Sequence, residues 1–207
     1  MVLLGLQDTK KIIIMKKIFC VFVSLFAMVC AVNAQQIKDD IQKMRERAAI
    51  LQTLVDSYKV SKNAKVDGYG DAMKEAAVFA IDNRVQLENL YKRQIGETTD
   101  GVTDVTITKP SLEDWILLSA TIFKEGESIK KATDKLQEAA DEAKLMTENV
   151  SKEKNPMKAA KAAKSAKATA AVIEFGNSAT PILIEESEAQ VKAVKTIIET
   201  LKSGKNL

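Results

Sequence analysis

Apolar residues that recur in alternating steps of three and four constrain the fold of this chain more than any other feature. The clearest series runs from Trp115 to Val150 without a slip in its spacing. Such spacing is typical of a helix that packs lengthwise against other helices. About 39 residues can therefore form one helix on the order of 58 Å long. The series comprises Trp115, Leu118, Ile122, Glu125, Ile129, Ala132, Leu136, Ala139, Ala143, Met146 and Val150.

Local capping signals mark where this helix and the next one begin. Ser111 follows Pro110 and precedes Asp114 by three residues, which resembles a capping box at a helix N-terminus. Asn155-Pro156 predicts a second start, because Asn is a good cap and Pro is favoured at the first helical position. The sequence therefore predicts a third helix from about residue 112 and a fourth from Pro156.

The fourth helix is expected to continue to about Leu201. Gly176 and Pro181 lie near its middle, where Pro removes a helical hydrogen bond, so we expect a bend or a division there. Small residues in its first half should allow a neighbouring helix to approach closely. Its predicted seam is Ala159, Ala163, Ala166, Ala170, Ile173, Asn177, Thr180, Ile184, Ser187, Val191, Val194, Ile198 and Leu201.

Two shorter helices precede these. The glycine-containing run 67–71 is expected to separate them, with Asp71 as the N-cap of a helix over 72–95 that stops at Gly96. The first helix is predicted over residues 36–61. Its seam is Ile37, Ile41, Met44, Ala48, Leu51, Val55 and Tyr58.

These helices predict an all-α fold, an elongated antiparallel four-helix bundle that forms a single domain over residues 35–207. Five helical segments would follow if the fourth helix broke at Pro181. The third and fourth helices are the longest, so part of their hairpin is expected to project and to favour self-association or a partner helix. Residues 97–109 are predicted to form a loop with some β character, and we treat that loop as a candidate contact surface.

The N-terminal part of the chain has the pattern of a secretory signal peptide. Two lysines follow Met15, residues 18–29 form a short apolar run, and Ala34 ends a cleavage-site pattern. We predict that Met15 is the true start and that cleavage follows Ala34. Residues 1–34 are then an over-long N-terminus plus the signal peptide.

Two other interpretations of this segment stay open. One is a retained membrane anchor that begins near Ile12, although the two lysines interrupt it and a span needs about 20 apolar residues. The other is lipid attachment at Cys30, although the three residues before that cysteine fit a lipobox poorly.

Cleavage would also change the composition of the protein. The whole chain has 31 basic and 28 acidic residues, whereas residues 35–207 have 27 of each. The net charge of +3 therefore belongs to the segment that is removed, and no nucleic-acid partner is expected. Cys20 and Cys30, the two cysteines of the chain, leave with the same segment.

Missing residue types argue against most kinds of catalytic and metal chemistry. The chain contains no His, and the predicted mature part contains no Cys, which removes the commonest metal ligands and general bases. A di-iron site in a bundle needs Glu-x-x-His pairs. We therefore expect no enzyme activity, no metal and no cofactor, and we identify no small-molecule substrate.

Lysines are concentrated where the third helix meets the fourth. One interpretation is a basic patch that faces phosphate groups, including those of a membrane surface. The alternative is an internal balance of charge against the acidic third helix. The last four lysines recur in steps of three, which spreads them over about half of a helix circumference. The lysines are Lys152, Lys154, Lys158, Lys161, Lys164 and Lys167.

Glu125 occupies a seam position of the third helix, beside Gly126. It is a candidate buried polar residue. One interpretation is a carboxyl of raised pKa, with a cation as a conceivable partner. The alternatives are a buried ion pair with a basic residue such as Arg84, and a seam that frays locally.

The sequence favours an exported, non-catalytic bundle that acts by binding or assembly in the bacterial periplasm or envelope, or outside the cell. A protein partner or self-association is expected, and a membrane surface is a further candidate. Two alternatives are retained. One is a membrane-active protein that coats or enters lipid through residues 168–184, and the other is a periplasmic component of a secretion or conjugation apparatus.

Overall fold

The computed structural model describes residues 34–97, 106–205 and 207, and these residues form four helices with no strand among them. The helices are α1 (Ala34–Ser57), α2 (Ala64–Ile95), α3 (Leu112–Lys152) and α4 (Pro156–Lys202). The prediction of an all-α bundle is thus confirmed. The predicted signal peptide up to residue 33 and most of the predicted 97–109 loop lie outside the described residues.

The start of α2 differs from the prediction. Asn63, rather than Asp71, caps this helix, and its side-chain oxygen accepts hydrogen bonds from the backbone N–H groups of Lys65 and Val66. Asp67 lies in the first turn, where its carboxylate accepts hydrogen bonds from the backbone of the α1–α2 connection, including Ser61 N at 2.6 Å. The glycine-containing run 67–71 is therefore helical, and α1 ends four residues earlier than predicted.

The capping signals of α3 and α4 are confirmed. Ser111 and Asp114 form a complete capping box, and Asn155 caps α4 with Pro156 in the first turn. However, α4 is one continuous helix through Pro181, so the five-segment alternative is wrong. Pro181 and Asn177 are both exposed, and the carbonyl of Asn177 that loses its N–H partner can therefore bind water.

Contacts between side chains set the directions of the helices. Asn63 at the start of α2 contacts Met146 near the end of α3, whereas Gln94 at the end of α2 contacts Trp115 at the start of α3. These two helices are therefore antiparallel. α1 packs against α2 and α4, α3 packs against the same two helices, and α2 and α4 also contact each other.

Two glycines let α2 and α4 approach closely. A Cβ added to Gly70 of α2 would lie 2.6 Å from Val172 Cγ1 and 2.7 Å from the Tyr58 ring. A Cβ added to Gly176 of α4 would overlap the ring and hydroxyl of Tyr69, which is buried. Close packing of buried side chains at these points outweighs the low helix propensity of glycine.

The α3–α4 hairpin continues past the level at which α2 begins. Asn63 contacts Met146, and Met146 accepts a hydrogen bond from Thr169, so residues 147–168 lie beyond the start of α2. We call residues 147–168 the hairpin tip. No residue of the hairpin tip is buried, whereas Thr169 is fully buried.

The buried apolar residues form two clusters along the bundle. The cluster nearer the hairpin tip, the tip-side cluster, contains Leu51, Val66, Tyr69, Ala72, Met73, Ala76, Ala77, Ala80, Ala132, Ala139, Val172, Phe175, Ala179 and Leu183. The other, the base cluster, contains Ile37, Ile41, Met44, Leu87, Tyr91, Trp115, Leu118, Ile122, Ala193, Val194 and Ile197. All residues that α1 and α3 contribute to these two clusters belong to the predicted seams of those helices.

Most of the buried series of α4 lies one residue before the predicted seam, although Ser187 and Val194 of the predicted seam are also buried. The predicted phase placed Ile173, Ile184 and Val191 in the core, but each of these is only partly buried. The buried series keeps the same alternating spacing one residue earlier, at Thr169, Val172, Gly176, Ala179, Leu183, Glu186, Gln190, Ala193 and Ile197. This phase brings polar residues into the core, where partners on other helices bind them.

Candidate functional site

A layer of buried polar residues separates the tip-side cluster from the base cluster. We call it the polar layer. Its members come from α2, α3 and α4 and are at most 4% exposed, which is unusual for residues of these types. They are Asn83, Glu125, Ser128, Glu186, Ser187 and Gln190.

Glu125 of α3 is fully buried and bonded to α2. Asn83 Nδ2 donates a hydrogen bond of 2.8 Å to Glu125 Oε2. Burial raises the pKa of the Glu125 carboxyl to about 8, because desolvation disfavours its charged form and the nearby Glu186 adds a like charge. The ion pair proposed with Arg84 is not the arrangement found, since Arg84 instead binds Glu88 at 2.9 Å.

The second carboxyl of the polar layer, Glu186 of α4, is paired. Arg47 Nε of α1 donates a hydrogen bond of 2.7 Å to Glu186 Oε2, and Gln190 Nε2 donates one of 3.0 Å to Glu186 Oε1. Gln190 Nε2 also donates to the carbonyl of Ala80 on α2, at 2.9 Å. Burial raises the pKa of Glu186, and the bonds from Gln190 and Arg47 oppose that shift.

Some polar atoms of the layer have no hydrogen-bond partner. They include Glu125 Oε1 and Ser187 Oγ, although Ser187 lies next to the Glu125 carboxyl. The Ser187 hydroxyl can accept a hydrogen bond from a protonated Glu125 or donate one to its carboxylate. Burial and the like charge of Glu186 favour the neutral form of Glu125, whereas the Arg47 guanidinium favours the charged form of Glu186.

A more exposed cluster of charges lies at the level of the base cluster, since Glu88 follows Leu87 and Arg45 follows Met44, both members of that cluster. Glu88 of α2 receives hydrogen bonds from Arg45 of α1 at 2.6 and 2.9 Å, and it also pairs with Arg84 and Lys92. The bonds from Arg45 lower the pKa of Glu88 to about 2. This cluster therefore ties α1 to α2 with a carboxylate that stays ionised at all ordinary pH values.

All six predicted basic-patch lysines are exposed on the hairpin tip. Lys152 pairs weakly with Glu148 of its own helix, at 3.8 Å. Within the described chain, the five other lysines form no ion pair. Acidic residues of α3 pair elsewhere, since Glu138 and Glu142 both contact Lys65 of α2. Among the described residues, the six lysines therefore form no ion pairs across the hairpin that would balance the acidic residues of α3.

The turn that joins α3 to α4 is held by local hydrogen bonds. Glu153 accepts one from the Asn155 backbone N–H at 2.9 Å, and the Asn155 side chain accepts one from Met157 N at 3.0 Å. Met157 therefore stands in the first turn of α4 and is 84% exposed. The chain order places it between Lys154 and Lys158.

Sequence reasoning missed several residues of these sites. Glu186 and Gln190 belong to the regular buried series of α4, and a comparison of both possible phases of that series could have found them. Arg47 carries no such signal, because it lies beside the seam of α1 and becomes relevant only through Glu186 on another helix. Met157 could have been noted as a large apolar residue among lysines.

Two searches of the described residues gave negative results. None of the described helices has an apolar stretch sufficient to cross a membrane. No three Asp, Glu, Cys or His side chains of the described residues come together as a group that could hold a metal ion. Comparison of the chain with protein-family models, with curated proteins and with solved structures gave no match.

Proposed function

We propose that this chain is an exported, non-catalytic protein that acts by binding, and that the hairpin tip is its contact surface. In this proposal the signal peptide is cleaved, and the remaining chain is an elongated antiparallel bundle that supports the hairpin tip. One observation carries it. The hairpin tip contributes no buried residue to the core, yet it presents six exposed lysines, five of which form no ion pair within the described chain.

Charge at the hairpin tip indicates the kind of partner. Residues 147–168 contain six lysines and two acidic residues, Glu148 and Glu153. This excess attracts an anionic surface at a distance and weakens as salt screens it. The predicted cleavage after Ala34 is compatible with this bundle. The first buried side chain among those described is Ile37, so cleavage there would remove none of these buried side chains.

The polar layer supports a structural part in this proposal. Its hydrogen bonds join α1 to α4 and α2 to α3 at one level, and such buried polar contacts can specify the register of packed helices. A fixed register keeps the hairpin tip at one end of the bundle. Insertion of residues 168–184 into lipid is less well supported, since Val172, Phe175 and Leu183 are buried in the tip-side cluster.

Site-specific photocrosslinking in the bacterium that exports the protein tests the proposal. A photoreactive residue replaces Ala160 or Ala163, two exposed positions of the hairpin tip. The matched controls are Ala49 and Ala120, which are exposed alanines outside it. We expect adducts from the first two positions only. Equal yields from all four positions, or none from the hairpin tip, would overturn the proposal.

A further inference from the structure

The partner of the hairpin tip can be specified further, and this step rests on the function proposed above. We infer that the hairpin tip docks on an anionic phospholipid bilayer, with the lysines against the headgroups and Met157 between them. The partner class follows from the shape, the side-chain types and the charge of residues 147–168.

The arrangement of the lysines fits a layer of mobile groups better than a rigid partner. Lys158, Lys161 and Lys164 follow one another in steps of three, so each lies about 60° further around α4. Together with Lys154 in the turn, they face several directions around a narrow two-helix end. A planar layer of mobile headgroups can reach lysines that point in different directions, whereas a rigid partner would need a deep matching cavity.

Met157 supplies an apolar group at the same end. It is 84% exposed, which is the largest fraction among the exposed large apolar side chains of the described residues. The bond between its backbone N–H and the Asn155 side chain fixes its place in the first turn. A flexible thioether among lysines can enter the boundary between headgroups and acyl chains, as apolar residues of interfacial helices do.

A protein partner is less consistent with these residues. Protein interfaces are enriched in aromatic residues and Arg at their centres and are depleted in Lys. Residues 147–168 contain no Phe, Trp, Tyr or Arg. A groove between α3 and α4 does exist, lined by residues such as Ala143 and Ile173, but Thr147 is the one hairpin-tip residue among those that line it. We therefore propose a lipid surface as the partner, and binding to an acidic protein instead is one of the results that the test can give.

The test measures binding of the exported protein to vesicles. One set contains equimolar phosphatidylglycerol and phosphatidylcholine, and the other contains phosphatidylcholine alone. We expect binding to the anionic set only, with loss at about 0.5 M NaCl because exposed charges are then screened. Equal binding to both sets, or no binding to the anionic set, would overturn the inference.

Matched variants locate the contact. Replacement of Lys158, Lys161, Lys164 and Lys167 by Ser should weaken binding by up to about 600-fold, since each lysine near an anionic membrane contributes a factor of roughly five, and by about 25-fold if two of the four reach the headgroups. The control variant replaces the exposed Lys43, Lys59, Lys124 and Lys131 by Ser and has the same net charge. It should bind within about threefold of the unchanged protein. Equal losses in both variants would contradict docking through the hairpin tip.

A third variant tests the apolar contact. Met157→Ser should weaken binding by about fivefold and leave the salt dependence unchanged, because it removes an apolar contact and no charge. An unfolding curve for each variant shows whether it is folded before binding is compared. If vesicles fail but the hairpin tip still forms adducts with a protein in cells, the lipid inference falls and the proposed function stands.

Discussion

Asn83 of α2 donates a 2.8 Å hydrogen bond to Glu125 of α3, and this pair joins the two helices at the level where the apolar core is interrupted. Both side chains are buried, so water cannot replace either of them as the hydrogen-bond partner of the other. An unpaired polar group in that position would cost about 1–3 kcal/mol. The bond therefore favours the one register of α2 and α3 that keeps the two residues at the same level.

Glu125→Gln should change how stability depends on pH. The pKa of Glu125 is about 8 in the folded protein and 4.5 ordinarily, so its favourable contribution is complete below pH 4.5 and is lost as pH rises through 8. Gln cannot ionise. Between about pH 5 and pH 8, the difference in unfolding free energy should shift by roughly 3 kcal/mol in favour of the variant. Urea unfolding at both pH values measures it.

Glu127→Gln is the matched control, because Glu127 is exposed on the same helix. Its unfolding free energy should follow that of the unchanged protein at both pH values. A Glu125 variant that shows the same pH dependence as the unchanged protein would mean that Glu125 does not take up a proton on folding. The hydrogen bond to Asn83 would then have to stabilise a buried carboxylate.

Glu88→Gln should act in the opposite pH range. The pKa of Glu88 is about 2 in the folded protein against 4.5 ordinarily, so the stability it contributes is present above pH 4.5 and lost toward pH 2. At neutral pH the variant should lose about 2 kcal/mol of unfolding free energy, a value that allows for solvent around the half-exposed Arg45. Acid titration followed by circular dichroism should show that the difference in stability between the variant and the unchanged protein becomes smaller toward pH 2.

The exposed Glu75 on the same helix provides the control for this variant. Glu75→Gln should leave the acid transition where it is. If Glu88→Gln and Glu75→Gln had equal effects, the contacts of Glu88 with Arg45, Arg84 and Lys92 would contribute no more to stability than a surface charge does.

Much of the fold is predictable because the signals that specify it are local. The capping box at Ser111 and the cap at Asn155 involve atoms within three residues of each other, and the sequence places them correctly. The seam of α3 is equally predictable, since most of its positions are apolar. The start of α2 is not, because helical Gly70 depends on close contact with Tyr58 and Val172, which are distant in sequence.

In the candidate sites, too, local features are predictable from sequence and contacts between helices are not. The position of Glu125 in a heptad series identifies it from sequence, whereas its bond to Asn83 depends on the register of two helices. Most of the predicted seam of α4 was one residue out of phase, because Glu186 and Gln190 are polar residue types that are seldom buried in a core. Their partners, Arg47 and the Ala80 carbonyl, belong to other helices and become apparent only in the folded chain.

Two glycine substitutions should have opposite effects on stability. Gly176→Ala would place a methyl group against the buried ring of Tyr69, so it should lower the unfolding free energy by about 2 kcal/mol. Gly126→Ala has nothing within 4 Å of the added carbon, so it should raise the unfolding free energy by about 0.5–1 kcal/mol through helix propensity. Thermal unfolding of both variants measures the contrast. A stabilising Gly176→Ala would contradict the close contact of α2 and α4.

Ala34→Arg should block processing of the N-terminus. The predicted cleavage site needs a small residue immediately before the cut, and Arg is neither small nor neutral. The unchanged exported protein should begin at Gln35, whereas the variant should keep its longer mass in mass spectrometry. Gln36→Arg, two residues beyond the cut, is the control and should be processed normally. An exported protein that still begins at Met15 would refute cleavage, and the thiol-free composition of zero net charge inferred for residues 35–207 would no longer describe the protein that acts.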